Sequence, residues 1–402
     1  MNILIFTNLF PNPEQPLRGN FVANMVQEVS RLAVTSVVSP LPWFPGLNGR
    51  GTGPIRLNKE WGQFSRVPDF SRWNGLDVYY PKYPFIPVVS RAIQPSLIAL
   101  SVSGVVNRLI EEKKIDVISG HWIYPDCVSA VKIGKKKGIP TVITARGCDI
   151  NLYGGYRFRK PQIEWALQNA EKITAVSNAL AERICRDFRI SEKKVAVILN
   201  GVDRARFNYI SESEKIKDNI GLERGKKYLL FIGQLHEVKG VHYLIEALHI
   251  LSNRKKLFFE TILIGSGPQR MEIEHSIKEK GLAGRVYLKG NKPNEEIPLW
   301  MNACDVLCLP SKREGMPNVV LEGLSCGLPV VASRTGGIPE VVNDNNGILV
   351  EAQNAPELAN ALETAFRKDW NREDISSGME QFSWGKTAKS YLRIFEEVLR
   401  GR

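Results

Sequence analysis

Short apolar runs alternate with amphipathic stretches along the first half of the chain. Residues 2–7 form an apolar run that ends in a proline-rich loop, and apolar residues then recur at helical spacing from Phe21 to Leu32. Further strand-like runs follow at residues 35–38, 116–119, 141–144 and 195–199. Helical stretches precede the last three of these runs, so the pattern predicts a parallel sheet covered by helices.

The same alternation begins again in the second half, after a charged and poorly periodic segment at residues 210–227 that indicates a linker or a domain edge. Apolar runs predict strands at residues 228–232, 260–264, 286–288, 306–309 and 330–332. Because 402 residues exceed the usual size of one domain, we expect two doubly wound domains. We place them at residues 1–205 and 206–380, and we expect a helix within 381–402 to pack back on the first domain.

Positive charge is concentrated in the first half of a chain whose net charge is +12. Residues 1–205 hold 27 Lys and Arg against 16 Asp and Glu, whereas residues 206–402 hold 27 against 26. The basic runs at 132–137 and 157–160 could attract anionic lipid or another polyanion, although solvated helix faces explain each run about equally well. We expect the first domain to be the more strongly attracted to an anionic surface.

The chain shows no targeting or membrane-spanning pattern. Its first ten residues lack the basic region of a signal peptide, and no apolar run reaches 18 residues without interruption. The six cysteines lack the spacing of zinc ligands, so free thiols and no metal site are expected. We therefore expect a cytoplasmic protein, with the inner face of the cell membrane as a candidate place of action.

The most informative segment, residues 309–329, reads as a strand, a polar loop and a buried helix. Pro317 suits the first helical position, because its fixed φ fits the first turn and its missing N–H would have no helical partner there. The amides of Met316, Asn318 and Val319 are then predicted to point out of the helix start, where the helix dipole favours a phosphate.

Two glutamates belong to the same segment. Glu314 lies in the loop before the predicted helix, and Glu322 lies on its second turn with a side chain that leans back toward the helix start. We expect both carboxylates to approach one ligand, where one accepts hydrogen bonds from a sugar ring and the other from the hydroxyls of a ribose.

A second strand, glycine-bearing loop and helix occupy residues 231–240 and the following turn. Lys239 lies where this loop meets the helix, and its ammonium could neutralise a diphosphate that approaches the bare backbone of Gly233 and Gly240. Gly19, before the first helix, could admit a phosphate in the same way, although an ordinary helix start is the simpler explanation for one glycine.

Taken together, these motifs resemble glycosyltransferase family four. The spacing of Glu314 and Glu322 is similar to the E-x7-E element of that family, and other motifs of the likeness extend over most of residues 195–350. They lie at residues 200–203 (Asn-Gly-Val-Asp), 233–240, 265–268, 326–331 and 336–340. The first half is similar more loosely, through residues 11–22, 121–126, 145–149 and 175–178.

The resemblance implies an α/β fold of the GT-B type, in which two Rossmann-like domains face a central cleft, and transfer with retention of anomeric configuration. It implies that Glu314 lies near the donor sugar, Glu322 on the ribose and Lys239 on the diphosphate. It places Gly19 beside the diphosphate from the opposite domain. The remaining donor-binding positions that it implies are Gly233, Gly290, Lys292, Gly315, Met316, Asn318 and Val319.

Two departures from the family pattern bear on the donor site. Gln234 stands where many members have a phosphate-binding Arg, and Arg146 stands where many have a His. An Arg cannot act as a base at neutral pH, but its planar fork binds a carboxylate or phosphate at two points. We hypothesise that Arg146 acts at the catalytic site by contacting the donor sugar, such as an acidic sugar, or its leaving diphosphate.

The sequence therefore predicts a retaining glycosyltransferase that uses a nucleoside diphosphate sugar and a glycan or polyprenyl-linked acceptor, similar to bacterial transferases of surface-polysaccharide assembly. Nucleic acid is not an expected partner. The chain has no Asp-x-Asp sequence, so no metal ion or other cofactor is expected. A nucleotide-sugar epimerase of the same architecture and a degenerate sugar-nucleotide-binding protein stay open as alternatives.

Overall fold

A computed structural model of the chain describes residues 1–43, 63–86, 90–255 and 258–401. The chain divides into two compact units. Unit 1 comprises Met1–Leu199 together with Trp384–Arg402, and unit 2 comprises Asn200–Ser383. Neither unit contains, in the part of the chain that the structure describes, a helix long and apolar enough to cross a membrane.

The strands and helices of unit 1 follow the predicted alternation. Its strands are β1 (Asn2–Phe6), β2 (Val34–Val38), β3 (Leu41–Trp43), β4 (Phe70–Trp73), β5 (Leu76–Tyr79), β6 (Lys82–Pro84), β7 (Val117–His121), β8 (Thr141–Ala145), β9 (Lys172–Ala175) and β10 (Val195–Val197). Its helices are α1 (Asn20–Ser30), α2 (Gln94–Ser101), α3 (Ser103–Lys113), α4 (Val128–Lys137), α5 (Cys148–Asn151), α6 (Lys160–Asn169), α7 (Asn178–Phe188) and α15 (Trp384–Arg400).

The main sheet of unit 1 has eight strands in the order β10-β9-β8-β7-β1-β2-β5-β4. Its strand pairs are parallel except β4 with β5, and β3 pairs with β6 in a separate ribbon. β1 lies between β2 and β7, and Ile3, Leu4 and Ile5 are fully buried there. A strand covered on both faces needs a continuous apolar run, which is why residues 2–7 were recognisable as a strand.

The helix expected within residues 381–402 is α15, Trp384–Arg400. It packs against α1, and Trp384, Tyr391 and Phe395 enter the same buried cluster as Met25 and Val29 of α1. The hydroxyl groups of Tyr391 and Thr144 lie 3.4 Å apart. The last helix of the chain therefore completes the hydrophobic core of unit 1.

Unit 2 contains one six-stranded parallel sheet in the order β13-β12-β11-β14-β15-β16. Its strands are β11 (Tyr228–Ile232), β12 (Glu260–Ile264), β13 (Val286–Gly290), β14 (Val306–Leu309), β15 (Val330–Ser333) and β16 (Gly347–Val350). Its helices are α8 (Ser213–Asn219), α9 (Val241–Asn253), α10 (Arg270–Glu279), α11 (Ile297–Ala303), α12 (Asn318–Ser325), α13 (Ala355–Arg367) and α14 (Arg372–Ser377). The five apolar runs predicted as strands in this half are confirmed.

Residues 210–227, predicted as a linker or a domain edge, belong to unit 2 and contain α8. Lys217 donates from Nζ to Glu214 Oε1 at 2.7 Å and to the Lys226 carbonyl at 2.9 Å. These contacts order a segment that has too few apolar residues to show helical periodicity. The sequence analysis also missed β9 and β16.

Candidate functional site

The strand order of unit 2 reverses beside β11, where β12 pairs on one side and β14 on the other. In open parallel sheets, ligands bind outside the carboxyl ends of the strands at such a point, because the flanking loops diverge there and leave a crevice. The loops that follow β11 and β14 contain Lys239 and Glu314. The topology thus brings together two predicted site residues that are 75 positions apart.

Lys239 and Glu314 form a direct ion pair. Lys239 Nζ donates to Glu314 Oε1 at 2.7 Å, and Ser311 Oγ donates to the same oxygen at 2.7 Å. The Glu314 side chain is only 10% exposed and the Lys239 side chain 23% exposed. An ammonium has three N–H donors, and the contact with Glu314 uses one of them. Lys239 can therefore bind an anion while it stays beside Glu314.

Gly240 permits the close approach of the two loops. Its φ is +67°, and a Cβ built there would lie 2.0 Å from the Pro310 carbonyl oxygen. The amide of Lys312 also donates to the Val238 carbonyl at 2.8 Å. A side chain at position 240 would push the loop after β11 away from the loop after β14, and so separate Lys239 from Glu314.

A third loop supports the backbone of Glu314 from behind. A Cβ at Gly336 would lie 2.3 Å from the Glu314 carbonyl oxygen, and the Gly337 amide donates to the Gly315 carbonyl at 2.6 Å. The double glycine was part of the family resemblance, but sequence reasoning gave it no role. Its role is to hold the loop that presents Glu314.

The helix after this loop, α12, begins at Asn318, and Pro317 is its N-cap with φ −75° and ψ 118°. The prediction that Pro317 is the first helical residue was wrong by one position, because its extended ψ keeps it outside the helix. Asn200 Nδ2 donates to Asn318 Oδ1 at 2.8 Å and to the Met316 carbonyl at 3.4 Å. The Asn-Gly-Val-Asp motif therefore fixes the start of this helix.

Glu322 lies on the second turn of α12, as predicted, and is partly buried. Burial raises the pKa of the Glu322 carboxyl to about 7, and the positive charge of Arg206 opposes that rise. Sequence reasoning missed Arg206, which follows the Asn-Gly-Val-Asp motif by three residues. Near neutral pH, Glu322 is thus divided between its neutral and ionised forms.

Close backbone contacts join the loops after β11, β12 and β13. The Gly233 amide donates to the Ile264 carbonyl at 3.0 Å, and the Gly265 amide donates to the Gly290 carbonyl at 2.8 Å. A Cβ at Gly265 would lie 1.9 Å from the Gly233 carbonyl oxygen. Gly233, directly after β11, and Gly290, the last residue of β13, are thus both hydrogen-bonded to the end of β12, at Ile264 and Gly265. Lys292 follows them, with Nζ 5.3 Å from the centre of the Trp300 ring.

Unit 1 repeats this design at β1, where its own strand order reverses between β2 and β7. Asp126, after β7, accepts hydrogen bonds from the Asn8 amide at 2.5 Å and from Thr7 Oγ1 at 3.3 Å, and burial raises its pKa to about 7. Gly19 has φ +63° at the start of α1, and a Cβ there would lie 2.2 Å from the Leu9 carbonyl oxygen. The predicted phosphate-admitting position is thus a point of tight backbone packing.

Arg146 lies after β8, with its guanidinium carbon 5.3 Å from the Phe21 ring centre. One of its terminal nitrogens lies 3.0 Å from His121 Nδ1. Burial and the charge of Arg146 lower the pKa of His121 well below its usual range, so the imidazole is neutral. Because a guanidinium only donates, Nδ1 must accept and the proton must reside on Nε2, 3.3 Å from Ser119 Oγ.

The loop that contains Arg146 is organised by Asp149, which belongs to one of the resembling motifs but was not predicted as a site residue. Its buried carboxylate accepts backbone N–H groups of Ile123, Arg146, Gly147 and Ile150. This satisfies a buried charge and ties the loop after β7 to the loop after β8. The signal that could have identified Asp149 in the sequence was a carboxylate two residues after Gly147, the glycine that follows β8.

Gly240→Ala is expected to destabilise unit 2 more than an alanine at a glycine with similar φ in open space. Gly281 provides the control, since its φ is also +67° and nothing lies within 4 Å of the position that a Cβ would take. The left-handed φ alone costs about 1–2 kcal/mol. The clash with Pro310 is expected to add about 1–3 kcal/mol. Equal shifts of the urea unfolding midpoint for the two variants would contradict this account.

Glu322→Gln is expected to raise the free energy of unfolding at pH 8. The pKa of Glu322 is raised to about 7 in the folded state from 4.5, so the favourable contribution of its neutral form is complete below 4.5 and is lost as pH rises through 7. The gain should be about 2–3 kcal/mol at pH 8 and should be much smaller at pH 5. Urea unfolding at both pH values measures it, with the exposed Glu295→Gln as a control that should show no pH-dependent gain.

Two family models match the chain. One, described as glycosyl transferases group 1, matches residues 212–381, and the other, described as glycosyltransferase family 4, matches residues 64–206. Together they extend over parts of both units.

Named relatives agree with these models. The TuaC protein of Bacillus subtilis, named as a putative glycosyltransferase for teichuronic acid biosynthesis, is 27% identical over 100% of this chain and 99% of its own length. A glycosyltransferase of Methanocaldococcus jannaschii, MJ1178, whose name calls it uncharacterized, is 30% identical over 72% of this chain and 78% of its own length.

Solved structures share the fold over the whole chain. Sucrose-phosphate synthase from Thermosynechococcus elongatus is 18% identical with a TM-score of 0.77, and covers 100% of this chain and 99% of its own. Anabaena HepE in complex with UDP is 20% identical with a TM-score of 0.74, and covers 99% of this chain and 100% of its own. The two Rossmann-like units, the matched models and these relatives show that the chain belongs to glycosyltransferase family 4, with the GT-B fold.

Proposed function

We propose that this glycosyltransferase moves a sugar from a nucleoside diphosphate sugar to a hydroxyl of a glycan or lipid-linked acceptor with retention of anomeric configuration. The contact between Lys239 and Glu314 at the strand-order reversal of unit 2 is the observation that supports this most strongly. In this proposal Lys239 is the cation that binds the diphosphate, and Glu314 beside it is the carboxylate that binds the sugar. The name of TuaC supports a role in bacterial exopolysaccharide, capsule or cell-wall glycan assembly.

The donor would lie with its diphosphate against Lys239 and the start of α12. The amides of Met316, Asn318 and Val319 belong to that helix start, where the dipole favours negative charge. Glu322 would accept hydrogen bonds from the ribose hydroxyls, and the backbone near Gly290 and Lys292 would face the base. Gly19 of unit 1 stays a proposed diphosphate contact through its backbone, since the space that a side chain would take there belongs to the Leu9 carbonyl.

The reaction would proceed on one face of the sugar. The bond between the anomeric carbon and the leaving phosphate oxygen breaks with its electron pair going to that oxygen, and the acceptor oxygen forms the new bond on the same face. The acceptor proton passes to the leaving phosphate oxygen, so no protein base is assigned. Glu314 orients the sugar and supports the positive charge that develops on it, while Lys239 stabilises the negative charge on the diphosphate.

We also propose that no metal ion is required, since Lys239 and the helix start supply positive potential at the diphosphate. Gln234 removes one cation that many family members have in the loop after β11. Arg146 would make a two-point contact with the donor sugar or its diphosphate, because His121 holds its guanidinium at 3.0 Å in a fixed direction.

The acceptor side of the proposal rests on charge. The excess of Lys and Arg lies in residues 1–205, so an anionic membrane surface at the inner face of the cell membrane would attract this part of the chain. A polyprenyl-linked acceptor would be reached there.

A panel of nucleoside diphosphate sugars, incubated with the protein in EDTA and without acceptor, tests the donor site. One donor should raise the melting temperature and should be hydrolysed slowly. Glu314→Ala is expected to lower nucleotide release about 10²–10³-fold, since a positioned charge at the reacting centre is lost. The exposed Glu295→Ala should leave it unchanged.

The products of the same panel separate the alternatives. Formation of a new nucleotide sugar would indicate an epimerase, whereas release of free nucleoside diphosphate indicates a transferase. Binding of one donor without any turnover would support a sugar-nucleotide-binding protein. The absence of a thermal shift with every donor would contradict the proposed function.

Arg146→Lys tests the two-point contact. Lysine keeps the positive charge but not the planar fork, so turnover on the identified donor should fall roughly 10-fold or more. Arg189→Lys, at an exposed position on unit 1, is the control and should keep full turnover. Full turnover in Arg146→Lys would contradict the assigned contact.

A further inference from the structure

A cavity of about 240 Å³ lies in unit 1 beside the loops that follow β1 and β7. Trp122, Tyr124 and Tyr153 form much of its wall, and Arg91 and Arg159 border it. A second, more open hollow of about 850 Å³ shares Arg91, Tyr153 and Arg159 with the first. The two together make a groove that leads from the strand-order reversal of unit 1 to its surface.

Arg159 lies among tyrosine rings at the junction of the two hollows. Its guanidinium carbon is 4.2 Å from the ring centre of Tyr153, 5.0 Å from that of Tyr156 and 5.3 Å from that of Tyr124. Burial raises the pKa of Tyr124 to about 12 and also raises the pKa of Tyr153, so these phenols carry no negative charge at neutral pH. The rings hold the guanidinium in place without neutralising it.

Three arginines, Arg91, Arg157 and Arg159, carry the positive charge of the groove. Over the described ranges of the chain, no Asp or Glu lies within ion-pair distance of Arg91, Arg157 or Arg159. A guanidinium has five N–H donors, and two of them can match a phosphate or diphosphate while the group lies beside the tyrosine rings. The groove is thus suited to a doubly or multiply charged anion.

The outer hollow also exposes apolar surface. Phe158 is 69% exposed, Tyr156 45% and Leu152 37%, and all three line the hollow that contains Arg157 and Arg159. Single exposed apolar residues are ordinary, but three that share one concave surface indicate a binding site for an apolar group. Cations and apolar side chains therefore lie side by side.

The groove is held in shape by specific bonds. Gln162 Nε2 donates to the Ala92 carbonyl at 2.7 Å and to the Phe158 carbonyl at 2.8 Å, and the Tyr124 hydroxyl donates to the Arg91 carbonyl. Trp122 has φ +74°, which a bulky residue adopts only where its surroundings require it. These constraints preorganise the groove for a ligand.

The inner end of the groove offers one further polar atom. Asn8 is 7% exposed and lines the inner cavity, and its Oδ1 atom is buried without a hydrogen-bond partner in the described residues. A buried acceptor without a partner is costly unless a ligand donates to it, and a sugar hydroxyl is a suitable donor.

We propose that this groove binds an amphipathic acceptor, in which an apolar chain is joined through a diphosphate to the sugar that receives the transferred residue. The apolar chain lies on Phe158 and Leu152, and the diphosphate lies on Arg159 with Arg91 and Arg157 near it. The acceptor sugar extends inward toward Asn8. This inference rests on the proposed function, because it identifies the acceptor of the same reaction.

Binding of farnesyl diphosphate to the full chain in EDTA, measured by calorimetry below its critical micelle concentration, tests the groove. Inorganic pyrophosphate and farnesol are the matched single-feature probes. Farnesyl diphosphate should bind at least 10-fold more tightly than either. Arg159→Gln should lower the affinity for both farnesyl diphosphate and pyrophosphate about 10-fold or more. Phe158→Ser should lower the affinity for farnesyl diphosphate only.

Three further variants locate the binding. Lys239→Ala removes the cation proposed for the donor diphosphate in unit 2, so binding of farnesyl diphosphate that persists in this variant is assigned to the groove of unit 1. Lys136→Gln, in the basic run of α4, is the control for general charge and should have no effect on the affinity. Arg157→Gln and Phe158→Ser alter exposed side chains and should fold normally, so they test the groove even where Arg159→Gln is unstable.

Several results would overturn the proposal. Equal affinity for farnesyl diphosphate and pyrophosphate would be one such result. Loss of farnesyl diphosphate binding in Lys239→Ala would be another, and so would unchanged binding of it in both Arg157→Gln and Phe158→Ser. Binding to phosphatidylglycerol vesicles that depends on Arg159, without binding of farnesyl diphosphate, would indicate a bilayer surface instead. Acceptor-free hydrolysis of the donor is measured separately, so failure of the proposed function and failure of the groove are distinguishable.

Discussion

The close approach of two backbones at Gly240 and Pro310 is the constraint on which the site of unit 2 depends. Lys239 and Glu314 belong to different loops, and their side chains can meet only if those loops are nearly in contact. The left-handed φ of Gly240 and the absence of a Cβ permit that distance. The glycines at 336 and 337 then hold the Glu314 loop from the other side. The ion pair between Lys239 and Glu314 thus depends on backbone packing. The attraction between the two side chains alone would not bring the loops this close.

Buried acidic groups show that the site regions were not arranged for stability alone. Asp126 and Glu322 both have a pKa raised to about 7 by burial, and each has only partial compensation from neighbouring charges or amides. A carboxyl group in such surroundings destabilises the folded state as it ionises. Four backbone N–H groups donate to the buried carboxylate of Asp149 and oppose the rise, but burial still raises the pKa of this group. Carboxyl groups with a pKa perturbed in this way occur preferentially at functional sites, although structural ion-pair networks also produce them.

Sequence patterns predicted the central strands because those strands are buried on both faces. β1 and β11 are continuous apolar runs, and the glycine-bearing loops after them have a fixed relation to the sheet edge. β16, in which Ile348 and Leu349 are only partly buried, and α8, which an ion pair stabilises, gave no such signal. The sequence analysis assigned Lys239 and Glu314 to the same ligand, but it did not predict that their side chains contact each other. The contact of Arg146 with His121, and the groove around Arg159, depend on side chains that come together from separate elements, and no local pattern encodes them.

The position of α15 has a consequence for how the chain folds as it is synthesised. The core of unit 1 contains Trp384, Tyr391 and Phe395, which leave the ribosome after the whole of unit 2. Until α15 has been synthesised, the apolar surface of α1 in unit 1 therefore stays uncovered. Unit 2 is one continuous segment, so its sheet can form before the core of unit 1 is complete. Order of synthesis and order of completion are reversed, and the exposed face of α1 is the surface most in need of protection during that interval.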